Sequence, residues 1–445
     1  MTTVQKNSAI SRQMWQIAIP SILANLSTPL LGLSDSFIMG HLPHERYLAA
    51  VALGSVLFSL LYNGVNFLRM GTTGLAAQAH GRDDELSLNQ LFIRGLISAT
   101  AIGLLFILCQ VLLAKLFFMF MATEPSVTAL TQQYFSIRIW GAPFALMNYV
   151  AAGWLLGLGR AREVLYIQLY MNISNILLNF LFVYGFSMTV DGVALGSLLS
   201  ESSAFLLCLY FVMKHSGRYF KLPLFDASVL ENILSLPAFK NLFSLNRDIF
   251  IRTMCLTLTL ASFALLGTRF GTEILAANAV LMNLQNLTAY GLDGFAQAAE
   301  VLVGKEIGRK SRDSLRAAVI ISGKWAIFTA AAFSGFYFIF GDMVIHLLTS
   351  LDTIRDISSD YLIWVIILPV LSIWSFQLDG IFIGATAGGS MRNGMVISTI
   401  CYALCVYFLI PLWGNHGLWA SYSIFIVMRA LTLAIRYPEI ERRAI

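Results

Sequence analysis

Charge is the scarcest feature of this 445-residue sequence, because only 12% of its residues are Asp, Glu, Lys or Arg. Soluble domains carry about twice that fraction, whereas 58% of this chain is apolar and its mean hydropathy is +0.74. Apolar runs recur from end to end, and each is long enough for the roughly 20 residues that a membrane-spanning helix needs. This composition excludes a soluble globular protein and predicts a polytopic helical membrane protein.

Cysteine is also scarce, and the sequence lacks the motifs of several enzyme classes. The five cysteines lie inside apolar runs, without metal-ligand spacing to histidine and outside loops where disulfides form. The absence of a phosphate-binding loop argues against direct use of ATP, and nothing resembles a nucleophile elbow. Basic residues occur only where membrane topology requires them, so nucleic-acid binding has no support. We therefore expect a protein that is not an enzyme and that holds neither a metal nor another cofactor.

Twelve apolar segments are long enough to cross a bilayer. Their predicted bounds are 13–39, 47–72, 91–121, 131–157, 163–186, 190–213, 248–270, 274–304, 316–347, 358–384, 394–413 and 416–436. Lysine and arginine are concentrated in the even-numbered connections, such as 214–247 and 305–316. By the positive-inside rule these connections and both chain termini are cytoplasmic.

The two halves of the chain show an internal repeat. A shift of 227 residues aligns Gly81 with Gly308, Gly153 with Gly380, and Gly157 with Gly384. Several matches at one offset indicate a duplicated unit, and the glycine pairs predict faces where two helices approach closely. The predicted fold class is an all-α membrane protein with twelve transmembrane helices in two six-helix lobes. The predicted domains are an N-lobe (1–213), a cytoplasmic linker (214–247) and a C-lobe (248–445).

A carboxylate, Asp35, lies near the middle of the first predicted span. A charge at bilayer depth costs roughly 2.5–3.5 kcal/mol on insertion scales, so it faces a protein interior or a wet cavity. Pro29, six residues earlier, lacks an N–H group and allows the helix to bend. We interpret Asp35 as a protonation switch beside a hinge at Pro29. The alternative is a buried carboxylate that only hydrogen-bonds a neighbouring helix.

Further polar residues lie at depth in the same half of the chain. Asn172, Asn175 and Asn179 are spaced so that they share one stripe of a helix, and Ser197 and Glu201 share a stripe of the next helix. An amide in hydrocarbon needs partners, and Asp35 could accept hydrogen bonds from two of them. The predicted substrate and proton network comprises Tyr134, Asn148, Asn175, Asn179 and Ser197.

Other ionisable residues at depth suggest pairing or a second ion site. Arg69, in the second span, is the candidate counter-ion of Asp35. A permanent pair would weaken the switch hypothesis, because a close cation favours the ionised carboxylate. In the C-terminal half, Asp293 and Glu300 share a helix face and could serve an ion site or pair with buried arginines such as Arg252. Asp293 and Asp379 are the candidates for a second cation site.

Six sequence segments, spread over nearly the whole length, carry a family resemblance. They are Pro29–Gly40, Tyr47–Gly54, Leu68–Leu75, Leu245–Asp248, Tyr290–Phe295 and Leu378–Thr386. Together they resemble the multidrug and toxic compound extrusion (MATE) transporters, in particular the DinF-like branch. The resemblance implies a V-shaped transporter of two six-helix bundles, driven by H+ or Na+, that exports cationic or amphipathic drugs. It also implies an important aspartate on the first helix, which maps onto Asp35.

Two departures from the family pattern favour protons over sodium. Related archaeal members have an aspartate where this chain has Asn179, next to positions that map onto Asn175 and Ser197. The amide removes a charged oxygen ligand that Na+ would favour. Sodium-coupled relatives also carry an acid on the seventh helix with one on the tenth. Asp379 matches the tenth-helix acid, but the seventh span has only Cys255, Thr257, Thr259 and Ser262 at comparable depth.

We therefore predict a proton-coupled multidrug antiporter, with H+ as the coupling ion and Na+ as the less favoured alternative. A lipid or lipid-linked sugar flippase is a second alternative, although such relatives tend to have a more cationic central cavity. The expected partners are small cationic or amphipathic drugs and the lipid bilayer, without nucleic acid. We expect a monomer in the cytoplasmic (inner) membrane.

Overall fold

The computed structural model describes residues 3–119, 124–216 and 233–445. Within these ranges every regular element is a helix, which satisfies its own backbone hydrogen bonds in lipid. Residues 217–232 of the predicted linker 214–247 lie outside the described residues.

The N-terminal half forms the first six predicted spans. Its helices are α1 (Thr3–Gly40), α2 (Glu45–Val65), α3 (Phe67–Gly81), α4 (Glu85–Leu108), α5 (Gln110–Met119), α6 (Pro125–Arg138), α7 (Ala142–Gly157), α8 (Ala161–Phe180) and α9 (Val190–His215). α2 and α3 follow each other across Asn66 and form the second span. A short 3-10 turn, Ile139–Gly141, joins α6 to α7 in the fourth span, and a π turn, Leu181–Gly185, ends α8.

The C-terminal half forms the other six predicted spans. Its helices are α10 (Leu236–Gly267), α11 (Thr272–Gly308), α12 (Arg312–Leu348), α13 (Asp352–Gly384) and α14 (Gly388–Arg442). α14 contains the last two spans, because Gly414 has a φ of 56° and a ψ of −129° that interrupt the helix and that glycine adopts without strain. Ten helical segments in the described ranges are long and apolar enough to cross a membrane. α11 is not one of them, because amide and acidic side chains make it less apolar.

Local sequence signals set several of the helix ends. Asp84 caps the start of α4, since its Oδ1 accepts a hydrogen bond from the Ser87 backbone N–H at 3.0 Å. Hydrogen bonds from the side chain and backbone of Ser87 also hold the pKa of Asp84 below its usual value. Pro125 occupies the first turn of α6, where its missing N–H costs nothing.

The chain divides into two compact units, each with its own core. One unit comprises Leu23–Phe243, and the other comprises Met1–Ile22 with Ser244–Ile445. The first part of α1 therefore packs with the C-terminal half, where Trp15 contacts the rings of Phe295 and Trp325 edge-on at centroid distances of 5.4 and 5.0 Å. Nothing in the sequence indicates this division of α1. The lobe bounds 1–213, 214–247 and 248–445 stay a prediction.

Each core is built around a fully buried tryptophan. In the first unit Trp154 donates its indole N–H to the Leu88 carbonyl at 3.0 Å. In the second unit Trp419 donates to Oδ1 of Asn278 at 2.9 Å and packs edge-on against Phe263. Satisfying the indole group in this way matters in lipid, where an unpaired polar group is costly.

The repeated glycines lie at equivalent helix crossings. A Cβ at Gly157 of α7 would lie 2.6 Å from the Cβ of Ala76 and 2.8 Å from the Thr73 carbonyl oxygen of α3. At the repeat-related crossing, a Cβ at Gly384 of α13 would overlap the Glu300 carbonyl oxygen of α11. Thr73 and Glu300 are themselves related by the 227-residue shift. The two halves therefore use the same close backbone contact, as the glycine spacing predicts.

Candidate functional site

Asp35 lies near the C-terminal end of α1 and faces α8. Its side chain is buried, with 7% of the residue exposed, and its Oδ1 accepts a hydrogen bond from Nδ2 of Asn179 at 2.8 Å. The same Nδ2 group donates to Oδ1 of Asn175, one turn earlier on α8, at 2.9 Å. The two asparagines thus connect Asp35 to the interior of the first unit.

The hydrogen bonds continue from α8 to α9. Nδ2 of Asn175 donates to the hydroxyl oxygens of Ser197 at 3.0 Å and Ser200 at 3.4 Å. Gly196 of α9 leaves space for the Asn179 side chain, because a Cβ at this position would overlap Oδ1 of Asn179. The structure therefore brings together four of the predicted residues, Asp35, Asn175, Asn179 and Ser197. Ser200 was not predicted, although its spacing of three residues from Ser197 places it on the same helix face.

A second connection joins α1 to α8 nearer the start of both helices. Nδ2 of Asn172 donates to the backbone carbonyl and to the hydroxyl oxygen of Ser27, each at 3.0 Å. Pro29 lies between Ser27 and Asp35, so it separates the two points where α1 is bonded to α8. α1 is helical through Pro29. The hinge at Pro29 stays a prediction.

A buried ion pair lies beside this network and was missed from the sequence. Nη2 of Arg138 donates to Oε1 of Glu201 at 3.3 Å, and Nη1 donates to the Tyr134 hydroxyl at 2.5 Å. The guanidinium lies 4.7 Å from the centroid of the Phe58 ring, within the range of a cation–π interaction. An arginine inside the predicted span 131–157 was itself a signal, since cations are rare at that depth.

Two residues predicted for the Asp35 network belong to this ion pair instead. Tyr134 hydrogen-bonds Arg138, and Nδ2 of Asn148 donates to the Glu201 backbone carbonyl at 2.9 Å. Spacing alone could not separate the two groups, because it fixes the face of a helix but not the neighbour that the face meets. The two groups are nevertheless coupled, since the charge of Arg138 acts on Asp35.

The structure gives Arg69 a different partner from the one expected. Its Nε donates to Oδ1 of Asn66 at 3.3 Å, one turn earlier in the chain. The pairing of Arg69 with Asp35 stays a prediction.

The acid of the tenth span is already paired with two cations. Asp379 on α13 is buried and accepts hydrogen bonds from Arg252 of α10 and Arg429 of α14. Arg252, which the sequence suggested as a partner for Asp293 or Glu300, therefore pairs with Asp379. Asp293 accepts a hydrogen bond from Gln297 at 2.8 Å.

This pairing bears on the candidate second cation site. Two guanidinium groups on one carboxylate leave a net positive charge, which argues against cation binding at Asp379. No group of three or more His, Cys, Asp or Glu side chains that could hold a metal ion occurs in the part of the chain that the structure describes. A cation site at Asp293 and Asp379 stays a prediction without geometric support.

Known proteins resemble this chain in both sequence and structure. The family model described as MatE matches residues 20–181 and 249–412. The chain is 38% identical to DNA damage-inducible protein F of Escherichia coli over 427 residues, which cover 95% of this chain and 91% of that protein. It is 26% identical to the probable multidrug resistance protein NorM of Agrobacterium fabrum over 96% of this chain and 93% of that protein.

A solved structure shares the fold over nearly the full length. The Vibrio cholerae MATE transporter VcmN in the bent form has a TM-score of 0.85, with 16% identity over 99% of both chains. The family model matches once in each half of this chain, in agreement with the repeated glycine crossings. The predicted all-α fold, with twelve helices in two repeated halves, is confirmed.

Proposed function

Because this chain belongs to the MATE (MatE) family, and is thus a multi-pass membrane transporter rather than an enzyme, we propose that it exports cationic or amphipathic drugs in exchange for protons. Asp35 is the protonation switch of this exchange. The observation that carries the proposal is the hydrogen bond from Asn179 to the buried Asp35 carboxylate.

Protonation would change the hydrogen-bond requirements of Asp35. An ionised carboxylate only accepts hydrogen bonds, whereas a protonated one also donates. Oδ1 of Asn179 is buried without a hydrogen-bond partner among the described residues, so it is an acceptor available to a protonated Asp35. To use it, the Asn179 amide has to reorient, which breaks its hydrogen bond to Asn175. Protonation of Asp35 thus changes the hydrogen bonds of Asn179 and Asn175, and through them the contact with Ser197.

The two connections of α1 to α8 explain how this change could move a helix. Protonation weakens the connection at Asp35 but leaves the one at Ser27 intact, and Pro29 lies between them. A hydrogen bond to a charged group is worth about 1.5–3 kcal/mol. Each tenfold proton gradient supplies about 1.4 kcal/mol, and 100 mV adds about 2.3 kcal/mol per charge moved. A physiological proton gradient is therefore large enough to drive the rearrangement.

Two features of the charged residues favour protons over sodium. Asp35 is the carboxylate of the α1–α8 network, and its neighbour Asn179 contributes an amide instead of a second negative charge. Sodium is a hard cation that favours several oxygen ligands, charged ones in particular. In the C-terminal half, Asp379 is already neutralised by Arg252 and Arg429.

The drug specificity rests on the relatives and on the charge of Asp35. The relatives include probable multidrug resistance proteins, and a deprotonated carboxylate would attract a cationic drug. Loss of that charge on protonation would weaken drug binding and promote release. The similarity to a bacterial DinF protein supports the cytoplasmic membrane as the location. The distribution of Lys and Arg supports cytoplasmic termini.

Transport in proteoliposomes tests the coupling ion and its site. We expect an imposed pH gradient to drive transport of a fluorescent cation, and an imposed Na+ gradient at equal pH to have no effect. Asp35→Asn should abolish proton-driven transport while the protein remains folded. The control Asp293→Asn removes an acid from a helix of the other half and should retain transport.

Three other outcomes would contradict the proposal in distinguishable ways. Proton-driven transport retained by Asp35→Asn would exclude Asp35 as the switch. Transport driven by Na+ and lost in Asp293→Asn would assign the coupling to the C-terminal half. If neither gradient drives drug transport but a fluorescent lipid is flipped between leaflets, the flippase alternative replaces the exporter.

A further inference from the structure

An apolar groove follows one side of the C-terminal half. α13 packs against both α12 and α14, whereas α12 and α14 have few contacts with each other. Val370 and Trp374 of α13 are consequently about half exposed in the gap. The groove has a volume of about 580 Å³, and Val427, Leu431 and Tyr437 line it on α14. Its wall is almost entirely apolar.

The groove runs along the helices. Its residues on α14 recur every three or four positions from 427 to 437 and so form one stripe. This part of α14 advances about 15 Å along its axis. That length is about half of the roughly 30 Å hydrocarbon core of a bilayer, and it matches the depth of one leaflet. A long apolar groove of this depth fits an acyl chain.

Arginines lie at one end of the groove. Tyr437, which lines the groove, lies one helical turn before Glu441 on α14. The Glu441 carboxylate accepts hydrogen bonds from Nη2 of Arg312 and Arg316, at 2.8 and 2.7 Å. On α12, the two arginines share a helix face with Val319, which also lines the groove. The apolar groove therefore ends next to the charged cluster, at Tyr437 on α14 and at Val319 on α12.

The cluster has unused capacity for an anion. Two arginines facing one glutamate leave a positive charge that the nearby Asp313 only partly offsets. The exposed fractions of the Arg312 and Arg316 side chains are 45% and 49%. Each arginine uses Nε and Nη2 on Glu441. Nη1 of each has no partner among the described residues and is available to a phosphate oxygen, a preferred ligand of arginine. Arg442 and Arg443 add positive charge at the same end of α14.

We propose that the groove and the arginine cluster form a binding site for one anionic phospholipid of the cytoplasmic leaflet. An acyl chain lies along α13 and α14, and the phosphate contacts Arg312 and Arg316, which Glu441 holds in position. The expected cytoplasmic orientation of this end agrees with the occurrence of anionic-lipid sites in basic pockets between transmembrane helices. The site uses none of the residues that we propose for proton coupling.

Lipid titration followed by native mass spectrometry tests the charged part of the site. The purified protein in detergent is titrated with phosphatidylglycerol or with phosphatidylcholine of the same acyl chains. We expect one phosphatidylglycerol to bind preferentially. The double variant Arg312→Gln/Arg316→Gln should weaken its binding by about 30-fold, with phosphatidylcholine binding unchanged. The control Arg309→Gln/Lys310→Gln removes the same charge from the adjacent turn and should bind as the unmodified protein does.

A second variant tests the groove without changing charge. Ala434 lines the groove, so Ala434→Phe should lower phosphatidylglycerol binding at least about tenfold while the arginine cluster stays intact. Ala403→Phe, at an exposed position of the same helix, should have no effect. Equal binding of the two lipids by the unmodified protein would overturn the proposal. Unchanged phosphatidylglycerol binding in either test variant would also overturn it.

Discussion

Asn179 determines how much negative charge surrounds Asp35. Its Nδ2 group is 2.8 Å from Oδ1 of Asp35, so Asn179→Asp would place a second carboxylate at that contact. Two carboxylates at one site favour binding of a proton or a metal cation between them. We expect an imposed Na+ gradient to drive drug transport in Asn179→Asp proteoliposomes but not in the unmodified protein. Asn179→Ala is the control, and sodium-driven transport by that variant would contradict the explanation.

The Arg138–Glu201 pair offers a separate test at the residue scale. Arg138→Met leaves the Glu201 carboxylate buried without its cation, which typically costs about 3–5 kcal/mol. The double variant Arg138→Met/Glu201→Gln removes both charges and should regain most of that stability. Unfolding of the purified protein in detergent measures the effect. A single variant as stable as the unmodified protein would show that the pair is not a structural requirement.

The contacts of some residues could be predicted from the sequence, whereas those of others could not. The Asn172, Asn175 and Asn179 stripe follows from helical spacing, and the family pattern pairs it with Asp35 and Ser197. The partner of Arg138 is Glu201, 63 residues away, and no local spacing identifies such a pair. The hydrogen bonds of Tyr134 and Asn148 to this pair could not be predicted for the same reason.

At the scale of helices, the close crossings of the two halves should be equally sensitive to added volume. A Cβ at Gly384 would overlap the Glu300 carbonyl oxygen, and a Cβ at Gly157 would lie 2.6 Å from the Cβ of Ala76. We expect Gly384→Ala and Gly157→Ala each to destabilise the protein by about 1–3 kcal/mol in thermal unfolding. Gly335→Ala is the matched control, because nothing lies within 4 Å of a Cβ there.

The change in stability that we expect for the Gly335→Ala control differs in sign from that of the other two variants. Alanine is favoured over glycine in a helix by up to about 1 kcal/mol, so Gly335→Ala should be neutral or stabilising. Equal effects of all three substitutions would mean that the crossings are looser than the backbone distances indicate.

Most helices could be predicted from the length of their apolar runs. The differences between prediction and structure concern two helix breaks and one contact between distant parts of the chain. The gap between the predicted spans 394–413 and 416–436 corresponds to the interruption of α14 at Gly414. The break between α2 and α3 at Asn66 was not predicted, because both helices are apolar and a single glycine such as Gly64 is tolerated inside a helix. Packing of residues 1–22 with the C-terminal unit could not be predicted, since nothing in a local window reports such a distant contact.

At the scale of the whole molecule, the distribution of basic residues predicts the orientation of every loop. A cysteine at Ser350, between α12 and α13, should react with a membrane-impermeant maleimide in intact cells. A cysteine at Lys310, between α11 and α12, should react only after the membrane is opened. Both positions are exposed, and a background without the five native cysteines isolates the signal. The reverse pattern would invert the predicted topology.

The division of α1 also has a consequence for biosynthesis. Trp15 leaves the ribosome among the first residues, but its ring partners Phe295 and Trp325 are made about 280 and 310 residues later. At roughly 5–20 residues per second, that delay is about 15–60 s. During this time the first segment of α1 is in the membrane without its native neighbours. The first segment of α1 can reach its native packing only after about three quarters of the chain has been translated.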